Sequence, residues 1–266
     1  MQVNIYQVDA FTSQPFHGNP AAVCLLQEPV NPAWAQKVAM EMNLSETAFL
    51  YKEGDKYNLR WFTPKVEVDL CGHATLASAH ILWEEKYLKP EEQAVFSTRS
   101  GILLAELTQD WIKLDFPVKR ITETVPPPGL LRALGVQAKF VKFIGVNKFD
   151  YLVEVEGEDL VRNLAPDIAG LSKLPLRAVI ITSRADQSGY DFISRFFAPG
   201  SGIAEDPVTG SAHCLLGPYW LAKLKRDTFK AYQASPRGGE LQVKVQGERV
   251  HLYGQAVTVL RGQLNY

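Results

Sequence analysis

The chain has 266 residues, of which 46% are hydrophobic and 21% charged, the balance of an ordinary soluble globular protein with room for about two domains. A formal net charge of −1 predicts no nucleic-acid partner and no anionic membrane partner. The three cysteines are too few and too scattered for a disulfide framework. Without an apolar run of about 18 residues or a signal-peptide pattern, we expect a cytoplasmic protein.

Turn signals and apolar periodicity predict the elements of the first half. In chain order these are strands over 3–11 and 21–26, a helix over 33–42 that Asn31-Pro32 caps, strands over 45–51 and 57–62, a helix from Gly72 to about Leu88, and strands over 94–97, 101–107 and 111–116. The run Pro126-Pro127-Pro128-Gly129 is the strongest turn signal and is interpreted as the seam between two halves.

The second half repeats this plan. It is predicted to contain a short helix over 130–134, strands near 138–146 and 150–155, a short helical segment over 163–170, strands near 178–183 and 191–197, a helix from Gly210 to about Lys225, and a hairpin of 241–246 with 249–254. We expect an α+β protein with an N-terminal domain over 1–118 and a C-terminal domain over 119–254. The last strand, about 255–266, is a candidate to rejoin the first domain because chain termini often lie close together.

One short pattern occurs twice. Arg60-Trp61-Phe62-Thr63-Pro64 is followed by Gly72, and Arg195-Phe196-Phe197-Ala198-Pro199 is followed by Gly210. Each copy predicts an aromatic strand, a loop, and a glycine that begins a helix of small residues. Chance similarity is the alternative, but the shared order favours an internal duplication with pseudo-symmetry and a site between the halves. The loops before the two glycines differ, so different chemistry is expected there.

Three segments carry candidate functional residues. Glu46 directly precedes an apolar strand, where desolvation can prepare a carboxylate to pass a proton; a surface turn capped by Ser45 is the alternative. Cys71, Gly72 and His73 begin the first small-residue helix, whose amides favour an anion. The alternatives there are that His73 is a partly buried histidine whose ring is hydrogen-bonded within the protein, and that Cys71 is a small hydrophobic residue packed in the core.

The third segment, 205–211, is the most distinctive. Asp206 lies just before the second small-residue helix, which begins at Gly210, and Thr209 and Ser211 offer hydroxyls beside free amides. This loop could hold a substrate carboxylate, while acidic N-capping is the alternative. The histidines show no ligand spacing and no phosphate loop or dinucleotide motif stands out, so we expect no metal and no cofactor.

Taken together, the ordered motifs resemble the PhzF-type phenazine-biosynthesis isomerase-like family along essentially the whole chain. The segments that carry the resemblance are 8–11, 18–23, 43–47, 60–64, 71–75, 205–212 and 254–257. The resemblance implies the diaminopimelate-epimerase fold, with two similar α+β domains that each wrap a curved sheet around a central helix. It also implies a homodimer, no cofactor, and a small carboxylate substrate bound between the domains.

Carried over residue by residue, the family's catalytic acid–base falls on Glu46. Its substrate-contacting Gly-His pair falls on Gly72 and His73, its active-site aspartate on Asp206, and its substrate-binding Gly-Ser pair on Gly210 and Ser211. With Glu46, we expect His73 and Asp206 to be the catalytic residues. We add Asn19, Ser45, Cys71 and Thr209 to the expected substrate-binding residues. The amino-acid epimerases of this fold use two cysteines, whereas here only Cys71 matches a cysteine position and the second loop carries Asp206.

These features predict a cofactor-independent isomerase that moves a proton on a small carboxylate-bearing metabolite. Two alternatives stay open. One is an amino-acid racemase or epimerase that uses Cys71, and the other is a non-catalytic metabolite-binding protein on the same scaffold.

Overall fold

The computed structural model of the protein describes residues 2–148, 150–187 and 189–265. Met1, the first residue of the expected N-terminal domain, and Tyr266, the last residue of the strand expected to rejoin it, lie outside the described residues. In the part of the chain that the structure describes, no helix has the length and apolar character needed to span a membrane.

The first part of the chain alternates strands with two helices. Its elements are β1 (Gln2–Ala10), β2 (Asn19–Leu26), α1 (Pro32–Met42), β3 (Glu46–Glu53), β4 (Lys56–Phe62), β5 (Glu67–Val68), α2 (Gly72–Glu84), β6 (Ala94–Thr98), β7 (Gly101–Thr108) and β8 (Trp111–Pro117).

The remaining part has shorter helices and one long one. Its elements are β9 (Thr122–Glu123), α3 (Leu130–Leu134), β10 (Val141–Asn147), β11 (Asp150–Val155), α4 (Glu158–Arg162), α5 (Ile168–Leu171), β12 (Ala178–Arg184), β13 (Phe192–Ala198), β14 (Ile203–Asp206), α6 (Gly210–Leu224), β15 (Thr228–Gln233), β16 (Gly239–Gln246), β17 (Arg249–Gly254) and β18 (Ala256–Asn265).

The chain divides into two compact units. The first comprises Met1–Asp115 with His251–Tyr266, and the second is Phe116–Val250. In the first unit β18 pairs antiparallel with β1 from Gln2 opposite Asn265 to Ala10 opposite Ala256. The proline run at 126–129 lies inside the second unit, after β9, which pairs with β10. That run is therefore a turn within the second unit and does not mark its border.

Both units use one strand order. In the first unit β1–β2 is antiparallel, β2–β3 parallel, β3–β4 and β4–β5 antiparallel, β4–β6 parallel and β6–β7 antiparallel. The second unit repeats the same directions for β10–β11, β11–β12, β12–β13, β13–β14, β13–β15 and β15–β16. Matching the registers makes Arg60 equivalent to Arg195, and it makes Glu46 equivalent to Ala178.

Each unit contains one helix that is buried on nearly all sides. Ten of the thirteen residues of α2 are buried, and nine of the fifteen residues of α6. Small side chains allow this close approach. A Cβ added at Gly217 of α6 would lie 3.0 Å from a methyl of Val243 and 3.1 Å from one of Val245, both on β16. The glycine therefore sets how deeply α6 packs against that strand.

Helix α1 follows the sequence-based prediction closely. The Asn31 side chain accepts a hydrogen bond from the Ala33 amide at 2.8 Å, and Pro32 occupies the first helical position. Such a cap stabilises a helix by about 1 kcal/mol. The helix ends at Asn43, which adopts a left-handed conformation with φ of 50°. This reversal directs the chain into β3, which begins at Glu46.

Three boundaries differ from the prediction. Helix α2 ends at Glu84 rather than near Leu88, because Lys86 adopts a positive φ of 61° and the Leu88 amide donates back to the Leu82 carbonyl. The segment 163–170 is mostly a loop between α4 and α5, since Pro166 disfavours helix before it. The strand expected near 138–146 begins as a 3₁₀ turn over Ala138–Phe140.

Candidate functional site

The first candidate site lies at the start of α2. Cys71 precedes the helix in an extended conformation, and its side chain does not cap the helix. The first amides of α2 therefore lack a side-chain cap and remain suited to an anion. Gly72 begins the helix and His73 follows in its first turn, where the imidazole is buried.

His73 joins β3 and β2 at this point. Its Nε2 lies 3.1 Å from Oε2 of Glu46, the first residue of β3. Its Nδ1 lies 3.2 Å from Nδ2 of Asn19, the first residue of β2. Parallel pairing of β2 with β3 holds the two strand ends together, with Ala21 opposite Glu46. The fold thus assembles Asn19, Glu46 and His73 from three distant segments.

The amide of Asn19 suits both protonation states of His73. Its nitrogen can donate to Nδ1 of a neutral ring, and rotating the amide by half a turn presents its oxygen to a protonated ring. Ser45 directly precedes Glu46 in a half-buried bend. It lies beside the cluster in sequence, and its predicted role in substrate binding stays a prediction.

The thiol of Cys71 lies on the same imidazole. Its Sγ is 3.6 Å from Nδ1 and 4.0 Å from Nε2 of His73. Burial and the charge of Glu46 together raise the pKa of the Cys71 thiol. Cys71 is therefore a neutral thiol near pH 7, which cannot accept a proton as a thiolate would.

Burial by itself would lower the pKa of His73, but Cys71 and Glu46 together raise the pKa of His73 well above its usual value. The Glu46 carboxyl group is one of the two groups behind this raised pKa. Glu46 and His73 thus form a close polar pair, and both side chains are largely withdrawn from solvent. A low-dielectric setting of this kind is where a proton-transfer group is tuned.

Glu46, Cys71 and His73 also form a grouping of metal-ligand types. One ligand atom from each lies within 4.8 Å of the others. Histidine spacing in the sequence does not reveal this set, because Glu46 comes from β3, Cys71 directly precedes α2, and His73 lies in the first turn of α2.

The second candidate site lies at the start of α6. Thr209 precedes the helix in an extended conformation and does not cap it with its side chain. Its hydroxyl instead donates to Oδ2 of Asp206 at 2.5 Å. Gly210 and Ser211 form the first turn of α6 and, like the start of α2, present helix amides without a side-chain cap. Asp206 itself is the last residue of β14.

Both helix starts share an arginine–glutamate pair that the sequence analysis did not assign. Nε and Nη2 of Arg60 donate to the two carboxylate oxygens of Glu67 at 2.7 and 2.8 Å. Arg195 binds Glu205 with the same two distances. Each glutamate lies five residues before the first glycine of its helix, a repeat that could have revealed the pair.

The matched loops locate the cysteine position in the second unit. Counting from Glu67 and Glu205, the residue equivalent to Cys71 is Thr209, and Asp206 is equivalent to Val68. The expected counterpart of Cys71 was Asp206, whereas the matched loops place Thr209 at that position. Gln233 of β15, which contacts both Thr209 and Asp206, was also missed.

Comparison with known proteins places the chain among close relatives. A family model described as phenazine biosynthesis-like protein matches residues 8–262. A protein called an uncharacterized isomerase from Halalkalibacterium halodurans is 55% identical over 265 residues, which is 99% of each chain. A PhzF-family phenazine biosynthesis protein structure from Enterococcus faecalis is 41% identical with a TM-score of 0.94, and the match covers 100% of both chains.

The fold extends to more distant enzymes. A probable proline racemase from Agrobacterium radiobacter matches with a TM-score of 0.67 over 99% of this chain and 93% of that one, at 12% identity, a likeness of fold alone. This agrees with the epimerase-type α+β architecture expected from the sequence. The whole-length family match and the relatives named isomerases lead to one conclusion: the chain belongs to the phenazine biosynthesis-like family and is an isomerase.

Proposed function

We propose that the protein is a cofactor-independent isomerase that moves a proton on a small carboxylate-bearing molecule, with Glu46 as the acid–base group. The observation that carries this proposal is the 3.1 Å contact between Glu46 and His73 at the start of α2. A carboxyl group that contacts an imidazole and is largely out of water can exchange a proton with a bound substrate.

In this mechanism Glu46 takes a proton from a carbon that is adjacent to, or conjugated with, the substrate carboxylate. The electron pair of the broken C–H bond moves into the conjugated system. The protonated Glu46, which exchanges its proton with solvent over repeated turnovers, then protonates a second carbon, so the reaction needs no oxidant or reductant. His73 compensates the charge of Glu46, and the first amides of α2 are suited to the substrate carboxylate.

The residues of the second unit enter as predicted binding groups. The start of α6 has the same uncapped design as α2, so Gly210 and Ser211 can donate amide hydrogens to an anion. Asp206 is predicted to orient the substrate. The homodimer that the family resemblance implies is likewise a prediction, and light scattering of the purified protein tests it.

The racemase alternative needs a base at two positions, one at each helix start. Cys71 is a buried thiol with a raised pKa, and its equivalent in the second unit is Thr209. Neither group is a ready base near pH 7, which supports a single-base mechanism through Glu46. A Cys71→Ala variant that loses all turnover would instead favour the racemase alternative.

The test is hydrogen–deuterium exchange by NMR in D₂O, with a panel of cyclic and amino carboxylic acids. The wild type should exchange a carbon-bound hydrogen of at least one acid. Glu46→Gln should slow that exchange by about 10²–10⁴-fold, since the amide cannot carry a proton. Glu53→Gln, at the exposed far end of the same strand, is the matched control and should exchange at the wild-type rate.

Binding of a panel acid, measured by thermal shift, without exchange of any hydrogen would favour the non-catalytic alternative. Wild-type exchange in Glu46→Gln would move the acid–base role to another group.

A further inference from the structure

Gln233, the last residue of β15, is fully buried and bonds to the loop that precedes α6. Its Oε1 accepts a hydrogen bond from the Thr209 amide at 2.9 Å. Its Nε2 lies 2.7 Å from the carbonyl oxygen of Asp206 and 3.2 Å from the hydroxyl of Thr209. One side chain thus satisfies three polar atoms of two neighbouring site residues.

These contacts fix the direction of every hydrogen bond in the network. A backbone N–H can only donate, so the Thr209 amide requires the oxygen of Gln233 to face it. The nitrogen of Gln233 must then donate both of its hydrogens, one to the Asp206 carbonyl and one to the Thr209 hydroxyl oxygen. Since that hydroxyl has a single hydrogen, it is free to point at Oδ2 of Asp206, 2.5 Å away.

In the first unit, the position equivalent to Gln233 does not hold a glutamine. The matched registers of β4–β6 and β13–β15 make Thr98 equivalent to Gln233. Thr98 donates only to the Gly101 carbonyl within its own hairpin, at 2.7 Å. Both units share a serine two residues later that bonds a loop carbonyl, Ser100 to Asp69 and Ser235 to Pro207. Of these two equivalent positions, the glutamine therefore occupies the one in the unit that also contains Asp206.

We propose that Gln233 is a positioning residue that orients the Asp206 carboxylate through the Thr209 hydroxyl. This inference rests on the proposed function, in which Asp206 contacts the substrate. The amide of Gln233 determines the direction in which the Thr209 hydroxyl donates its hydrogen bond. That hydroxyl in turn holds one carboxylate oxygen of Asp206 in place as its acceptor.

The experiment compares Gln233→Met, which keeps length but loses all polar contacts, with Thr209→Val and Thr209→Ser. Crystal structures report the Asp206 rotamer, thermal unfolding reports folding, and deuterium exchange on the fastest panel acid separates kcat from KM. Thr98→Val in the first unit is the matched control and should exchange like the wild type.

We expect Gln233→Met and Thr209→Val each to rotate the Asp206 carboxylate and lower kcat by about ten- to hundredfold, because small misplacements of a site group are costly. Thr209→Ser, which keeps the hydroxyl, should restore both. The double variant Gln233→Met/Thr209→Val should be no slower than the slower single variant, since the two residues act in series.

An unchanged Asp206 rotamer in both Gln233→Met and Thr209→Val overturns the inference, whatever the rates. Additive losses in the double variant also overturn it. If the wild type exchanges no hydrogen of any acid, the proposed function fails, and the Asp206 rotamers alone decide the positioning role. If Gln233→Met does not fold, the Thr209→Val and Thr209→Ser structures decide it.

Discussion

The starts of α2 and α6 share a backbone plan but carry different chemistry. Both follow a short strand and an arginine-bound glutamate, and both leave the first helix amides without a side-chain cap. At the first, Glu46 and His73 form an ion-pair contact. At the equivalent positions of the second unit are Ala178 and Ser211, neither of which ionises near neutral pH.

The difference indicates that the two copies acquired different functional groups after duplication. The proposed proton-transfer groups, Glu46 and His73, occur in one copy, while the other copy offers hydroxyls, amides and the carboxylate of Asp206. A two-base enzyme would need comparable groups at both helix starts. The asymmetry is therefore what a single-base isomerase requires, and variants that affect the two copies differently test it.

The largest expected difference concerns the two arginine–glutamate pairs. The Arg195 side chain is 9% exposed and also donates to the Leu164 carbonyl at 2.6 Å. The Arg60 side chain is 29% exposed, and Arg99 also contacts its partner Glu67 at 3.1 Å. Arg195→Met should therefore lower the free energy of unfolding by about 3–5 kcal/mol, the cost of leaving a buried charge unpaired.

Arg60→Met should cost only about 1 kcal/mol, because Glu67 keeps a cationic neighbour near solvent. Urea unfolding of both variants measures the contrast. Equal losses would show that the two pairs are energetically alike despite their different burial.

The next effect is an acid sensitivity in the first turn of α6 that the equivalent turn of α2 does not share. His213 of α6 is buried, its Nδ1 bonds the Thr209 carbonyl at 2.8 Å, and burial lowers the pKa of His213 to about 4. The unfolded chain binds this proton more tightly, so the contribution to stability is complete above about pH 6.5 and is lost as the pH falls towards 4. The loss amounts to about 3 kcal/mol.

In the first unit the equivalent residue is Thr75, whose hydroxyl donates to the Cys71 carbonyl at 2.5 Å and does not titrate in this range. His213→Gln should remove the corresponding part of the acid destabilisation between pH 6.5 and 4. Urea midpoints at pH 7 and pH 4.5 measure it. An unchanged pH dependence would assign the acid sensitivity to other groups.

A third effect concerns catalysis. His73→Gln should slow deuterium exchange by about 10²-fold, because the amide keeps a hydrogen bond near Glu46 but supplies no positive charge. His80→Gln is the control on the same helix, since His80 contacts Thr258 and Glu84 away from this pair. Equal rates in the two variants would remove His73 from the mechanism.

The sequence predicts the parts of this molecule that local rules govern. The Asn31-Pro32 cap located α1, and the glycines at 72 and 210 located the two buried helices. Strands of two to four residues, such as β5 and β14, carry too little periodicity to be recognised and were missed.

The site is harder to read because its contacts cross long stretches of chain. Asn19 and His73 are 54 residues apart, and only the family resemblance suggested that they share a site. Gln233 meets Thr209 across 24 residues because β15 pairs in parallel with β13, an arrangement that no local pattern reveals.

The smallest expected effect comes from the two serines that brace the loops. Ser235 is buried; it donates to the Pro207 carbonyl at 2.8 Å and accepts from the Gly238 amide at 3.0 Å. Ser100 is exposed and donates to the Asp69 carbonyl at 2.7 Å. Ser235→Ala leaves two polar groups without this partner in a buried setting and should lower the free energy of unfolding by about 1–2 kcal/mol. In Ser100→Ala water replaces the hydroxyl, so the loss should stay below about 0.5 kcal/mol. Thermal unfolding of the two variants side by side measures the difference, and a larger loss for Ser100→Ala would contradict the view that the loop before α6 is the more tightly held of the two.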